Sequence, residues 1–182
     1  MSDYAYLDHN ATTTPRPEAV RAMTSVLGQV GNPSSVHAPG RQARKVMEQA
    51  RNEVAALVNA SPADVVFTSG GTEANNLALT GTGRERLMVS AVEHPSVLRC
   101  EGEIIPVDGD GLVDLDRLDQ QLMADDVPAL VSVMLANTET GVIEPVADVV
   151  AIAHRHGALV HCDAVQAAGK IAVDIKELGV DL

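Results

Sequence analysis

The chain has 182 residues, 46% of them apolar but only 2% aromatic, and carries 25 acidic side chains against 13 basic ones for a formal charge of −12. That length holds one sizeable core, built from aliphatic layers of Val, Leu, Ile and Ala, and favours helices packed on a buried parallel sheet. The acidic balance argues against nucleic acid or an anionic membrane surface as a partner, because a net negative face gains nothing from approaching phosphates.

The N-terminal run Met1-Ser-Asp-Tyr-Ala-Tyr6 has neither a basic n-region nor an apolar h-region, and no apolar run approaches membrane-spanning length, so a soluble cytoplasmic protein is expected. Tyr4 to Leu7 leads into the polar segment Asp8 to Pro15, which cannot be helical up to its proline and is expected as an ordered loop. Arg16 to Leu27 reads as a helix with Pro17 in its first turn and Val20, Met23, Val26 and Leu27 along one side. Gly28 to Pro33 breaks it, and a longer helix is expected from about Gly40 to Val58, with Val46, Ala50, Val54, Leu57 and Val58 at helical spacing until Ser61-Pro62.

From there strand and helix alternate. Strands are expected at Val65 to Thr68, Leu87 to Ser90, Glu103 to Val107, Ala129 to Leu135 and Ala158 to His161. Helices are expected at Glu73 to Leu79, Pro95 to about Cys100, Asp114 to Met123 and Pro145 to His156, with a turn at Asp108-Gly-Asp-Gly111. Repetition of this kind means parallel βαβ units with right-handed crossovers, hence an α/β fold with a mostly parallel sheet flanked by helices, read as one domain over residues 1–182. Cys100 and Cys162 form neither a disulfide framework nor a Cys-x-x-Cys pair, which suits a reducing compartment.

In open α/β sheets ligands sit outside the carboxyl ends of the strands. Just past those ends stand Ser69-Gly-Gly-Thr72, Glu93-His94-Pro95, Asn137-Thr-Glu-Thr-Gly141 and Asp163-Ala-Val-Gln166. The first is a tight glycine turn opening a helix, where unpaired N–H groups, the small Gly70 and Gly71 and the Thr72 hydroxyl suit a phosphate. No Gly-Lys-Ser/Thr follows, so a triphosphate is not gripped in the P-loop manner, and no third glycine completes a dinucleotide fingerprint. Taken alone, the same turn serves equally as a plain helix cap.

Six motifs in order, Leu7-Asp-His-Asn-Ala-Thr-Thr13, Gly31-Asn-Pro-Ser-Ser-Val-His37, Thr68-Ser-Gly-Gly-Thr-Glu-Ala-Asn75, Val92-Glu-His94, Ala136-Asn-Thr-Glu-Thr-Gly141 and His161-Cys-Asp-Ala-Val-Gln166, resemble the cysteine desulfurases of the NifS/IscS-like branch among class V, fold type I pyridoxal-phosphate enzymes. The resemblance runs over essentially the whole chain. It implies removal of sulfur from L-cysteine as an enzyme persulfide, leaving L-alanine, for iron–sulfur cluster assembly or tRNA thiolation. It also implies iron–sulfur scaffold or sulfur-acceptor proteins and a missing C-terminal half or homodimer partner as partners.

The same resemblance implies pyridoxal 5′-phosphate as cofactor, with Thr72 and the Gly71 backbone on its phosphate, His94 stacked on the pyridine ring and helping to shuttle protons, Asp163 facing the ring nitrogen and Gln166 reaching the phenolic oxygen. Such a carboxylate keeps the pyridinium protonated so that the ring takes up electrons. Where this chain has Asn137-Thr138-Glu139, the family usually has Asn-Asn-Glu, and Thr138 offers a hydroxyl in place of an amide's paired donor and acceptor.

The family continues beyond the position of Leu182 into a strand ending in Ser-x-His-Lys, whose Lys forms the Schiff base, and on to a nucleophilic Cys, a substrate-binding Arg and a small domain. The chain is therefore expected to be the amino-terminal half of the large domain, unable to complete the reaction alone, with Lys170 structural. By strand alternation Cys162 faces away from Asp163 as a buried structural thiol, and Cys100 matches no family nucleophile. Other readings are a truncated, non-catalytic paralogue acting as scaffold or regulator, and another class V activity such as selenocysteine lyase. A metal site from His154, His156, His161 and Asp163 is disfavoured, since residues two apart on a helix share no face.

Overall fold

The computed structural model describes residues 5–182, so the readings made on Met1 to Tyr4 lie outside the described residues. The chain divides into two compact units, one running through Val54 and the other from Ala55 to Leu182.

The first unit contains α1 (Pro17–Leu27) and most of α2 (Ala38–Leu57). Arg16 is extended at the N-cap and Pro17 opens α1, a position where its missing N–H costs nothing. Val20, Met23, Val26 and Leu27 form the expected stripe, yet no residue of α1 is buried. Ahead of α2, the Asn32 side chain accepts from the Ser34 amide and the Ser35 amide donates to the Asn32 carbonyl, folding the loop back on the helix start. Gly40 is required there, because a Cβ would stand 2.3 Å from the Ser35 carbonyl oxygen.

In the second unit a 3-10 turn (Pro62–Asp64) precedes α3 (Gly71–Gly81), β1 (Arg86–Ser90), α4 (Pro95–Leu98), β2 (Glu103–Ile105), α5 (Leu115–Met123), β3 (Ala129–Ser132), α6 (Val146–Arg155), β4 (Leu159–His161) and α7 (Ile175–Leu178). The four strands pair in parallel in the order β2-β1-β3-β4, with Met88 beside Glu103 and Val131, and Val131 beside Val160. Successive side chains leave a strand on opposite faces, so β1 sends Met88 one way and Val89 the other, and β3 does the same with Val131 and Leu130. Met88, Val131 and Val160 pack with Leu118 and Leu122 of α5 and with Val146, Val149 and Ala153 of α6. Val89 and Leu130 pack with Leu79 of α3 and Val97 of α4. Both faces are thus covered, as the apolar strands require.

β1 continues through α4 to β2 at one edge, whereas β3 continues through α6, on the opposite face, to β4 at the other. The connections leaving the adjacent strands β1 and β3 therefore diverge. This is a topological switch point, where open α/β sheets form their ligand crevice.

Three expected strands are shortened, β4 by one residue and β2 and β3 by more, and one is absent. Residues 65–68 are not a strand: Val65 is extended, but the stretch joins no strand of the sheet, and Val66 and Phe67 are 69% and 48% exposed. Strand propensity expresses packing on a pleated, half-buried surface, and the outer side of β4 is instead taken by Asp181 and Leu182, whose amides donate to the Val160 carbonyl. β2 stops at Ile105 because Val107 turns to bridge Val113 around the Asp108–Gly111 turn. β3 ends at Ser132, although Val133 and Leu135 still donate to the carbonyls of His161 and Asp163.

Candidate active site

The start of α3 is open. Its N-cap is Gly70, which has no side chain to cap with, and the first amide to donate back along the chain is that of Ala74, to the Gly70 carbonyl. The amides of Gly71, Thr72 and Glu73 precede that first bond and have no acceptor within the helix. No atom lies within 4 Å of where a Cβ would stand on Gly70 or Gly71, so a ligand can approach the backbone closely. The Glu73 carboxylate curls back to Ser69, whose side chain and, at 2.6 Å, backbone amide both donate to it and lower its pKa.

Along α3 lies a cleft of about 670 Å³, whose lining includes Thr68, Gly71, Asn75, His161, Cys162 and Asp163 together with Val66, Leu77, Val165 and Leu182, but neither Thr72 nor His94. Its volume falls in the range of small-molecule and cofactor sites. Gly71 and Asp163 are thus brought together from opposite ends of the second unit. The agent that joins them is Asn75, a buried residue one turn into α3, whose amide nitrogen donates to Asp163 Oδ2 at 2.8 Å and to Ser96 Oγ at 3.0 Å. Asp163 Oδ1 accepts the Val165 amide at 3.0 Å. Each carboxylate oxygen retains further acceptor capacity.

Ser96 extends the connection to His94. Its hydroxyl lies 2.7 Å from His94 Nδ1, and its backbone amide donates to the same nitrogen at 3.1 Å. An amide N–H can only donate, so Nδ1 is an acceptor and the imidazole carries its proton on Nε2. The result is a continuous chain, His94–Ser96–Asn75–Asp163, running from the end of β1 through α4 and α3 to the end of β4. Motif reading gave neither middle member a role. That Asn75 closes one of the six motifs was the available signal.

Thr138 is half-buried in the turn after β3 and does not line the cleft. Its neighbour Asn137 organises that turn, accepting the amides of Glu139 and Thr140 and donating to the Val92 carbonyl at 2.9 Å. Gln166 also lies outside the cleft lining and accepts a hydrogen bond from Lys170 Nζ. Burial pushes the pKa of His161 down, and its Nδ1 pairs with Ser132 Oγ. The other two histidines of the disfavoured metal set have different partners: His154 meets Asp181 at 2.9 Å and His156 meets Asp119 at 2.7 Å. Burial, together with the nearby acids Glu93 and Asp163, pushes the Cys162 thiol up to about 12.

Residues 5–182 match the family model described as Aminotransferase class-V. The chain is 41% identical to the cysteine desulfurase IscS of Dictyoglomus turgidum, an alignment covering 100% of this chain and 50% of that protein. It is 39% identical to an IscS-like cysteine desulfurase of Mycobacterium tuberculosis over 97% of this chain and 50% of that one. Among solved structures, a NifS-like protein from Rickettsia africae superposes with a TM-score of 0.93 at 36% identity, covering 97% of this chain and 52% of that one. A structure titled SspA in complex with cysteine superposes at 0.86 with 27% identity, over 97% and 55% of the two chains. The chain spans about half the length of these relatives. It belongs to the class-V aminotransferase family, among the cysteine desulfurase and NifS-like homologues that depend on pyridoxal phosphate.

Proposed function

We propose that this chain provides the cofactor-binding half of a cysteine desulfurase acting on L-cysteine, with sulfur passed on for iron–sulfur cluster assembly or tRNA thiolation. The observation that carries this reading is the hydrogen-bonded chain His94–Ser96–Asn75–Asp163 beside the open start of α3. The residues fit pyridoxal phosphate chemically: free amides and open space at Gly70 and Gly71 for a phosphate, a carboxylate for a protonated ring nitrogen and an imidazole for a ring face.

In this reading Gly71 and Thr72 hold the phosphate, Asp163 faces the ring nitrogen and His94 covers the ring, while Thr138 and Gln166, which the family pattern brings to the cofactor, do not line the cleft. When bound, the cofactor supplies an electron-accepting ring. Asn75 holds Asp163 in place through Oδ2. Ser96 fixes the His94 tautomer, leaving Nε2–H as the imidazole's proton donor. The family pattern places the lysine that would anchor the cofactor and the cysteine that would take the sulfur after the position of Leu182.

Absorbance titration of the purified chain with pyridoxal phosphate tests this. Saturable, reversible binding is expected, weakened roughly tenfold or more in Asp163→Asn, since a charge-assisted hydrogen bond contributes about 1.5–3 kcal/mol. Binding that ignores this substitution overturns the assignment, as does a borohydride-trapped covalent adduct on Lys170.

A further inference from the structure

The switch point between β1 and β3 is crossed by two hydrogen bonds. One is Asn137 Nδ2 to the Val92 carbonyl. The other runs from the Met134 amide to Oε1 of Glu93, the residue immediately before His94. Glu93 is only 4% exposed, and its second oxygen, Oε2, is buried with no partner among the described residues.

A buried carboxylate with one oxygen unsatisfied is costly, whereas the protonated acid removes the charge and still accepts through its other oxygen. The groups facing it leave it no counter-charge. Asp163 beyond β4 and Glu144 before α6 both act on it as acids, and the Cys162 thiol at the end of β4 is in turn pushed up by it. The favourable contacts are dipoles only, the backbone amides of Met134 and His94.

We propose that Glu93 is a positioning residue, held as a neutral carboxylic acid, that clips the end of β1 to the end of β3 and thereby fixes His94. A neutral Glu93 adds no negative charge next to the Asp163 carboxyl, which faces the ring nitrogen in the cofactor reading. The functional consequence rests on the cofactor reading above; the protonation and the clip do not.

Burial pushes the Glu93 carboxyl up to about 8. The fold then holds this proton more tightly than the unfolded chain, so the contribution to stability is complete below the ordinary value of 4.5 and is lost as pH rises towards and through about 8. Glu93→Gln keeps a neutral side chain of the same length that can accept the Met134 amide, and so has no such titration. Glu93→Asp is too short to span the same gap.

The test is an infrared pH titration of the cofactor-free chain, with Glu93→Gln as the difference reference, followed by imidazole nitrogen NMR of His94 in wild type, Glu93→Gln and Glu93→Asp. The expected result is a protonated-acid carbonyl band in the wild type, absent from Glu93→Gln and lost as pH passes about 8. The His94 signals should be retained in Glu93→Gln and displaced in Glu93→Asp. Pyridoxal phosphate affinity, expressed as the ratio of wild type to Glu93→Gln, should fall about tenfold from one pH unit below that value to one unit above it, as the protonated fraction does.

A Glu93 carboxyl that ionises near the ordinary glutamate value overturns the proposal whether or not the cofactor binds. His94 signals that are the same in Glu93→Asp as in wild type overturn the clip. A chain that titrates as expected yet shows no affinity for pyridoxal phosphate leaves the clip in place and refutes the functional reading instead.

Discussion

At the scale of single residues, Thr72, His94 and Asp163 are candidates that the sequence offers because they stand at the ends of predicted elements and match a family pattern. Asn75 closes one of the six motifs, but its tie to Asp163 and Ser96 was not legible, because that tie rests on a spacing between α3, α4 and the end of β4 that exists only after folding. Asn75→Ala removes the donor to both Asp163 and Ser96. It should cost about 1–3 kcal/mol in urea unfolding and weaken pyridoxal phosphate binding in parallel. Unchanged affinity with reduced stability would show that the tie is structural only. Cys162 was read from alternation as a buried thiol facing away from Asp163, but it is half-buried beyond the end of β4 and lines the same cleft as Asp163, while burial still pushes its pKa up to about 12. At a pH near 8 roughly one molecule in ten thousand carries the thiolate. Iodoacetamide followed by mass spectrometry should therefore leave Cys162 unmodified in the native chain and modified after denaturation.

Local caps made the starts of α1 and α5 legible, although α7, capped by the Asp174 carboxylate, was not expected. Pro17 opens α1, and the Asp114 carboxylate caps α5 by accepting the Arg117 amide at 3.0 Å. The strand expected at 65–68 failed for a non-local reason: β-branched residues favour a pleated surface, but a strand also needs a neighbour, which composition does not reveal. A different non-local demand falls on Gly102, between α4 and β2, where a Cβ would stand 2.9 Å from Leu87 Cγ and Val89 Cγ1 and 3.0 Å from the Leu87 carbonyl oxygen. The backbone oxygen cannot yield as a side-chain tip can, so Gly102→Ala should destabilise by about 1–3 kcal/mol by overpacking against β1. Calorimetry would reveal it as a lowered Tm, and an unchanged Tm would mean that β2 moves freely relative to β1. The same edge is held by Arg86, whose guanidinium forks onto both oxygens of Glu103 at 2.8 Å and reaches the Gln121 carbonyl at 2.9 Å.

At the scale of the whole molecule, the parallel α/β class was legible because strand–helix alternation has few topological solutions, whereas the number of strands was not. In the unit from Ala55 to Leu182, Val66, Leu77, Val165 and Leu182 are 69%, 53%, 65% and 46% exposed while lining the same cleft as Gly71, Asn75 and Asp163. Together these side chains offer an apolar surface that a covering segment would remove from water. Burying each fully would contribute about 1.5–3 kcal/mol before the cost of ordering a partner. The relatives are about twice as long as this chain, and their second half is the candidate to cover that surface. The lone chain should therefore self-associate in size-exclusion chromatography with light scattering. Adding a polypeptide corresponding to the second half of a cysteine desulfurase relative should convert it to a defined complex with raised pyridoxal phosphate affinity. Val66→Ser with Val165→Ser should lower both tendencies, because the polar hydroxyls reduce the area that association removes from water. A monodisperse monomer that melts cooperatively and ignores the second half would mean that these residues close no interface, and the half-enzyme reading would fall with them.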